Sequence, residues 1–121
     1  MALEENIREV LSHRKRNEIV DPTRGPAAVL IPIYGKNGEY HILMTKRTQS
    51  VMYHKGQVCF PGGTRDEEDP DLLTTAIRES GEEIGLRAED IEILGVLDDM
   101  FTITSMRINT PFVASIPYPY E

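Results

Sequence analysis

Apolar residues change their spacing several times along the chain, and each change marks an element. Leu3, Ile7, Val10 and Leu11 recur at three and four residues, which predicts an amphipathic helix over 2–17. "HRKR" at 13–16 suits its C-terminal turn, read as a solvated helix end in preference to a phosphate site. After the loop "DPTRGP" (21–26), the apolar run "AAVLIPIY" (27–34) predicts a mostly buried strand. Pro32 has no N–H to give a ladder and so suggests an edge or a bulge. "GKNGE" (35–39) holds Asn-Gly, the strongest short hairpin signal, and "YHILMTKR" (40–47) is the returning strand. "TQSVMYHK" (48–55) has no period and reads as a loop. "GQVCF" (56–60) is a short strand ended by "PGG" (61–63), and "TRDEED" (64–69) is an acidic loop. Asp69 and Pro70 supply an N-cap and a proline at the first helical position, for a helix from about 70 to 84. "IEILGVLDDM" (91–100) and "RINTPFVASI" (107–116) are strands separated by "FTITSM". The final "PYPYE" is too short for a further element.

Strands mixed with two helices give a layered α/β or α+β fold, and 121 residues give one domain spanning 1–121. Hydrophobic residues make up 40% and charged residues 27%, an ordinary globular balance. The net charge of −7 argues against bulk nucleic-acid or anionic-membrane binding, where a basic surface is expected. An anionic substrate would then need a metal or local basic residues. Cys59 is the sole cysteine, flanked by Val58 and Phe60, and reads as a small buried apolar residue. No apolar run approaches a membrane span and "MALEENIREV" is charged, so a cytoplasmic enzyme or binding module is expected.

One stretch resists this plain reading. In "RESGEEIG" (78–85), Glu79, Glu82 and Glu83 stand at i, i+3 and i+4 of the second helix. Like charges at those spacings cost roughly 0.2–0.5 kcal/mol per pair. They also lie near the negative end of the helix, which Gly85 is placed to stop. On a helical wheel Leu73, Ile77, Ser80 and Ile84 share an arc, with the three acids roughly opposite. A solvated acidic face would account for three acids alone. The preceding "PGG" changes the balance, because glycine lets a backbone carbonyl approach a ligand closely. Clustered carboxylates with a carbonyl oxygen suit Mg²⁺ or Mn²⁺, which would relieve the repulsion. Arg78 can pair with one of the carboxylates and hold its rotamer.

"GG-TRDEED-PDLLTTAI-RESGEEIGL" resembles the Nudix box, G-x5-E-x7-R-E-U-x-E-E-x-G-U with U aliphatic. Arg78, Glu79, Glu82, Glu83, Gly85 and Leu86 match its second half; Ser80 stands at an aliphatic position. The interval from Gly63 to Arg78 is one residue longer than the pattern, and Asp69 stands at the first glutamate's place counted from Gly63. The resemblance implies an α/β/α sandwich with a mixed sheet and hydrolysis of a nucleoside diphosphate linked to another moiety. It makes Arg78, Glu79, Glu82 and Glu83 the catalytic set, with Glu79, Glu82, Glu83 and the Gly63 carbonyl as metal ligands. The general base stays open between a box glutamate and a carboxylate from another loop.

Upstream, "LMTKRTQSVMYHKGQVCFPGG" (43–63) is similar to the signature of coenzyme A diphosphatases. Leu43, Thr45, Arg47, Gly56 and Phe60 through Gly63 match it, while Thr48 and Met52 depart, the latter where that branch has arginine. "GVLDDM" (95–100) and "TPFVA" (110–114) also look like this branch. The implied products are 3′,5′-ADP and 4′-phosphopantetheine or its acyl form. Arg47, His54, Lys55, Gly62 and Gly63 are the substrate-binding candidates, with loop solubility an equal reading for His54 and Lys55. Tyr53 is expected to stack on adenine or to pack; Asp98 and Asp99 are expected to close the site or cap a strand, with an extra metal contact ranked below both. The alternatives are a hydrolase of ADP-ribose or a nucleotide sugar, and a silent Nudix-like binding module. The family fold places a helix after the last strand, and the sequence stops at Glu121 without one, so that either it is a piece of a longer chain or a partner chain covers the sheet. A homodimer is therefore expected to cover the sheet, with the first helix helping.

Overall fold

The computed structural model describes residues 3–21, 25–46, 58–102 and 107–117. In chain order the elements are α1 (Leu3–Ser12), β1 (Gly25–Lys36), β2 (Glu39–Ile42), β3 (Thr45–Lys46) and β4 (Val58–Cys59). They continue with β5 (Gly62–Thr64), α2 (Leu72–Ile84), β6 (Glu92–Val96), β7 (Met100–Thr102) and β8 (Arg107–Ser115), with a 3₁₀ turn at Ala88–Asp90.

β1 and β8 run parallel through the middle, paired from Gly25 and Arg107 to Ile33 and Ser115. β1 takes two antiparallel partners end to end on its other edge, β5 against Ala27–Val29 and β2 against Ile33–Lys36. β8 does the same with β7 and β6. The result is a mixed six-stranded sheet; β3 and β4 form a separate pair. The change of partner along β1 explains Pro32, which sits within a central strand and not at an edge. It falls between the β5 and β2 ladders, and its carbonyl accepts from the Leu43 N–H at 3.0 Å. No ladder bond is lost by the missing N–H at that gap. The hairpin from β1 to β2 turns as expected, with Asn37 (φ 52°) and Gly38 (φ 80°) both left-handed.

Side chains alternate between the two faces. Ala28, Leu30, Ala114 and Ile116 pack with Ala76 and Leu86 under α2. Ile33, Val113 and Leu94 meet Ile7 and Leu11 of α1 on the other side. The layers are thus helix, sheet, helix, and α1 occupies the face left open in the sequence reading. Fully burying Leu30 stabilises by about 2–3 kcal/mol.

Several boundaries differ from expectation. α1 ends at Ser12, and "HRKR" does not form its solvated last turn. Asp98 accepts from Arg14, from the Asn17 N–H at 2.9 Å and from Asn17 Nδ2 at 3.3 Å. Asp99 accepts from the Ile19 N–H at 3.0 Å and pairs with Arg16 at 3.2 Å. These partners outbid another helical turn. β4 ends before "PGG" as expected, but Gly62–Thr64 then forms a strand of its own. Residues 91–100 split into β6 and the start of β7, with a register shift between Ile93 and Gly95.

Candidate active site

The helix that carries the acids starts later than expected. Its N-cap is Asp71, whose side chain accepts from the Thr74 N–H at 2.8 Å. That bond draws the Asp71 carboxyl below the usual carboxylate range. At the far end Gly85 takes a left-handed φ of 74° and its N–H bonds the Gly81 carbonyl at 3.0 Å, a conformation that favours glycine.

Asp69, freed from capping, does something else. It is 3% exposed, and Arg78 grips it with both arms, Nε to Oδ1 at 3.1 Å and Nη2 to Oδ2 at 2.9 Å. The Asp66 N–H and the Thr75 hydroxyl each donate to the same carboxylate at 2.9 Å. Together, the Arg78 bonds foremost, they hold the Asp69 carboxyl well below its ordinary range; the same pairing pushes the Arg78 guanidinium up. Held on Asp69, Arg78 turns Nη1 to two glutamates, Glu79 Oε2 at 3.0 Å and Glu82 Oε2 at 3.1 Å. Its Nη2 also donates to the Thr64 carbonyl at 3.3 Å, tying α2 to the end of β5. The sequence allowed Arg78 one carboxylate partner; it has three.

The helix is also rotated from the predicted wheel. Thr75, Ala76 and Ser80 are its buried residues, whereas Leu73 and Ile77 are only half-buried. Thr75 is drawn inward by Asp69, and this turns Glu79 toward the sheet instead of away from it. The Glu79 carboxylate lies directly on Gly63, where an added Cβ would meet its Cδ at 2.5 Å and Oε1 at 2.6 Å. Any side chain at Gly63 would displace the glutamate. Gly62 is equally confined, because a Cβ there would stand 2.3 Å from the Ala28 carbonyl oxygen. Ser80 Oγ is buried without a hydrogen-bond partner among the described residues.

Glu79 is 19% exposed and Glu82 60%, so the pair runs from the β5 seat out to solvent. Glu83 follows on the exposed side of the helix. Among the described residues, no group of three or more His, Cys, Asp or Glu side chains is arranged to hold a metal. The donors nonetheless fit a hard divalent cation in kind. All are oxygens, two are gathered on one nitrogen of Arg78, and the glycine seat brings a backbone strand beside them.

Asp98 and Asp99 neither cap a strand end alone nor join these glutamates. They clasp residues 14–19, and Asp99 also accepts from the buried Thr110 hydroxyl at 2.7 Å, reaching the central strand. The Asn17 N–H foremost, and Arg14 after it, keep the Asp98 carboxyl below its usual range. Arg47, Thr48, Met52, Tyr53, His54 and Lys55 lie outside the described residues. Sequence reasoning missed the Asp69–Thr75 and Asp98/Asp99 contacts. Only the box alignment hinted at Asp69; nothing local tied residues 14–19 to 98–99.

Comparison with known proteins agrees with this geometry. The family model described as "NUDIX domain" matches residues 23–114. The uncharacterized Nudix hydrolase NudL of Cronobacter sakazakii is 40% identical over 97 residues, covering 78% of this chain and 50% of that protein. The chain thus spans about half the length of that curated relative. A C. elegans Ap4A hydrolase binary complex superposes with a TM-score of 0.67 at 23% identity, covering 78% of this chain and 68% of that one. The NUDIX domain of Shewanella oneidensis NrtR complexed with ADP ribose gives 0.59 at 19%, covering 93% and 71%. The two structural likenesses carry the fold, a mixed sheet with two helices. The family match runs through most of the chain, and on it the chain belongs to the NUDIX domain family.

Proposed function

We propose that this domain hydrolyses a nucleoside diphosphate linked to a second moiety, with Mg²⁺ or Mn²⁺ as cofactor. The observation that carries the reading is the Arg78 hub, which anchors on Asp69 and gathers Glu79 and Glu82 beside Gly63. A bound cation would be held by Glu79, Glu82, Glu83 and the Gly63 carbonyl, and would supply charge neutralisation and a more acidic water. Arg78 keeps the rotamers of two glutamates set by charge-assisted bonds. In the reaction a water oxygen bonds to one phosphorus and the bridging P–O bond breaks. The electron pair leaves with the other phosphate, and the water's proton passes to a carboxylate.

Coenzyme A or an acyl-CoA is the substrate the sequence favours, through Leu43, Arg47, Gly56 and the Phe60–Gly63 run. His54 and Lys55 are placed with Arg47 as phosphate contacts in that reading. The second reading is ADP-ribose, favoured by the loss of the signature arginine at Met52 and by the ligand named for the NrtR domain. Coenzyme A, acyl-CoAs and ADP-ribose compared with Mg²⁺ and Mn²⁺, products identified by mass, test the choice. Faster turnover of ADP-ribose than of coenzyme A would reverse it. Glu82→Gln should lower turnover by about 100-fold or more; unchanged hydrolysis would remove the catalytic role. A cytoplasmic homodimer completes the proposal. Light scattering at micromolar concentration should give twice the chain mass, and a monomeric mass defeats the dimer.

A further inference from the structure

Two adjacent threonines of α2 have different surroundings. Thr74 is half-buried at the helix start, and its hydroxyl donates to the Asp71 cap at 2.7 Å. Thr75 is fully buried, and its hydroxyl faces two acceptors, Asp69 Oδ2 at 2.9 Å and the Asp71 carbonyl at 3.3 Å. A hydroxyl has one proton to donate. The shorter bond, to an ionised carboxylate, takes it. The Asp71 carbonyl is served by the Thr75 N–H, also at 3.3 Å. Threonine is a poorer helix former than alanine, and a buried hydroxyl must find a partner, so helix propensity does not favour it here. What the residue supplies is a donor for Asp69.

That donor completes the anchor of Arg78. Asp69 Oδ1 accepts from Arg78 Nε, and Oδ2 accepts from Arg78 Nη2, the Asp66 N–H and Thr75. The Arg78 fork is bidentate, so the carboxylate plane must match the guanidinium plane. Asp66 holds the carboxylate from its loop, and Thr75 is the neutral side chain that holds it from the helix. Against the box pattern, the acid at 69 is one methylene shorter and the interval to the arginine one residue longer. The fork therefore spans an altered gap, and Thr75 stands inside it. Thr75 also precedes Glu79 by four residues, which puts both on one side of α2. A carboxylate free to turn would release Arg78 Nη1 from Glu79 and Glu82 and loosen Glu79 from its seat on Gly63.

We propose that Thr75 is a positioning residue for the cation site, holding Glu79 and Glu82 ready for a divalent ion through Asp69 and Arg78. Its hydroxyl reaches the glutamates only through those two residues. This rests on the metal-dependent hydrolase reading and deepens it. A group that orients the metal-binding side chains acts on metal affinity and turnover and leaves substrate binding alone.

The first arm of the test needs no substrate. Mn²⁺ is titrated calorimetrically into the wild-type chain, Thr75→Val, Thr75→Ser and Thr74→Val. Thr75→Val is close in shape and lacks the hydroxyl, and its Kd for Mn²⁺ should rise about tenfold. Thr75→Ser keeps the donor and should restore Kd to within about threefold of wild type. Thr74→Val loses a hydroxyl bond of the same helix and so controls for stability; its Kd should stay within about twofold. In the second arm, at saturating Mn²⁺, kcat for the diphosphate turned over fastest should fall about tenfold in Thr75→Val, with KM within about twofold. A folded Thr75→Val that binds Mn²⁺ within about twofold of wild type overturns the inference and leaves the hydrolase reading standing. Equal weakening in Thr74→Val also overturns it, since the effect would then be one of helix stability. Should Thr75→Val misfold by circular dichroism, Thr75→Ala decides on the same criterion. Mn²⁺ binding that depends on Thr75, in a chain that hydrolyses no diphosphate, would sink the proposed reaction and leave the positioning role standing. Wild-type chain that binds no Mn²⁺ overturns both.

Discussion

At the scale of single residues, the carboxylate crowding at 79, 82 and 83 was legible because helical spacing alone puts those charges together. What resolves it was not, since Asp69 lies nine positions before Arg78, beyond any i, i+4 rule. Asp69 before Pro70 looked like a helix cap; burial and the Arg78 fork gave it a larger role and passed the capping to Asp71. The pair makes a pH-dependent contribution whose sign follows from linkage. The folded-state pKa of Asp69 lies below its unfolded value, so its stabilisation is complete above the ordinary aspartate range, near pH 4–5. It is lost as pH falls through the folded value. Asp69→Asn should therefore lower Tm at pH 7 by about 5 °C or more, because it strips Arg78 of a charged partner. The gap between variant and wild type should narrow steadily below about pH 4. A gap that stays constant from pH 7 to pH 3 would show that the charge of Asp69 does not matter.

Elements whose signals are local came through the sequence well. The Asn37-Gly38 hairpin, the long apolar β1, the glycine stop of α2 and the β8 strand each rest on neighbours in sequence. Elements settled by distant partners did not. α1 stops five residues early because Asp98 and Asp99 compete for the chain that follows it. Gly62–Thr64 becomes a strand because β1 has a free edge beside it. The docking of α1 depends on a further tertiary feature, Gly95, where a Cβ would meet Leu11 Cβ at 2.5 Å. Leu11 sits on bare β6 backbone, and α1 itself has no fully buried residue. Gly95→Val should overpack this contact at a cost of about 1–3 kcal/mol. Hydrogen exchange should then speed up across residues 3–12 while α2 keeps its protection. Equal loss of protection in both helices would mean that α1 is not a separable unit of the fold.

For the whole molecule, the deciding quantity is charge. Under the proposed diphosphate hydrolysis a chain at −7 must bring anion to anion, and its best-placed cation, Arg78, is already shared among Asp69, Glu79 and Glu82. Composition made that conflict visible at once; the sharing needed the fold. A divalent cation among the glutamates would settle the balance, and its binding is measurable without turnover. An ion that binds the folded state alone stabilises by about 2.7 kcal/mol at a hundredfold excess over Kd. For a domain of this size that is a Tm rise of roughly 10 °C. Mg²⁺ or Mn²⁺ should give the wild-type chain such a rise, measured against KCl of equal ionic strength. Glu79→Gln/Glu82→Gln should reduce it to about 2 °C or less, whatever the substitutions do to the metal-free Tm, because the comparison is between each protein with and without the ion. A full rise in the double variant would place the ion elsewhere, and the acidic turn of α2 would revert to a solvated face tied down by Arg78.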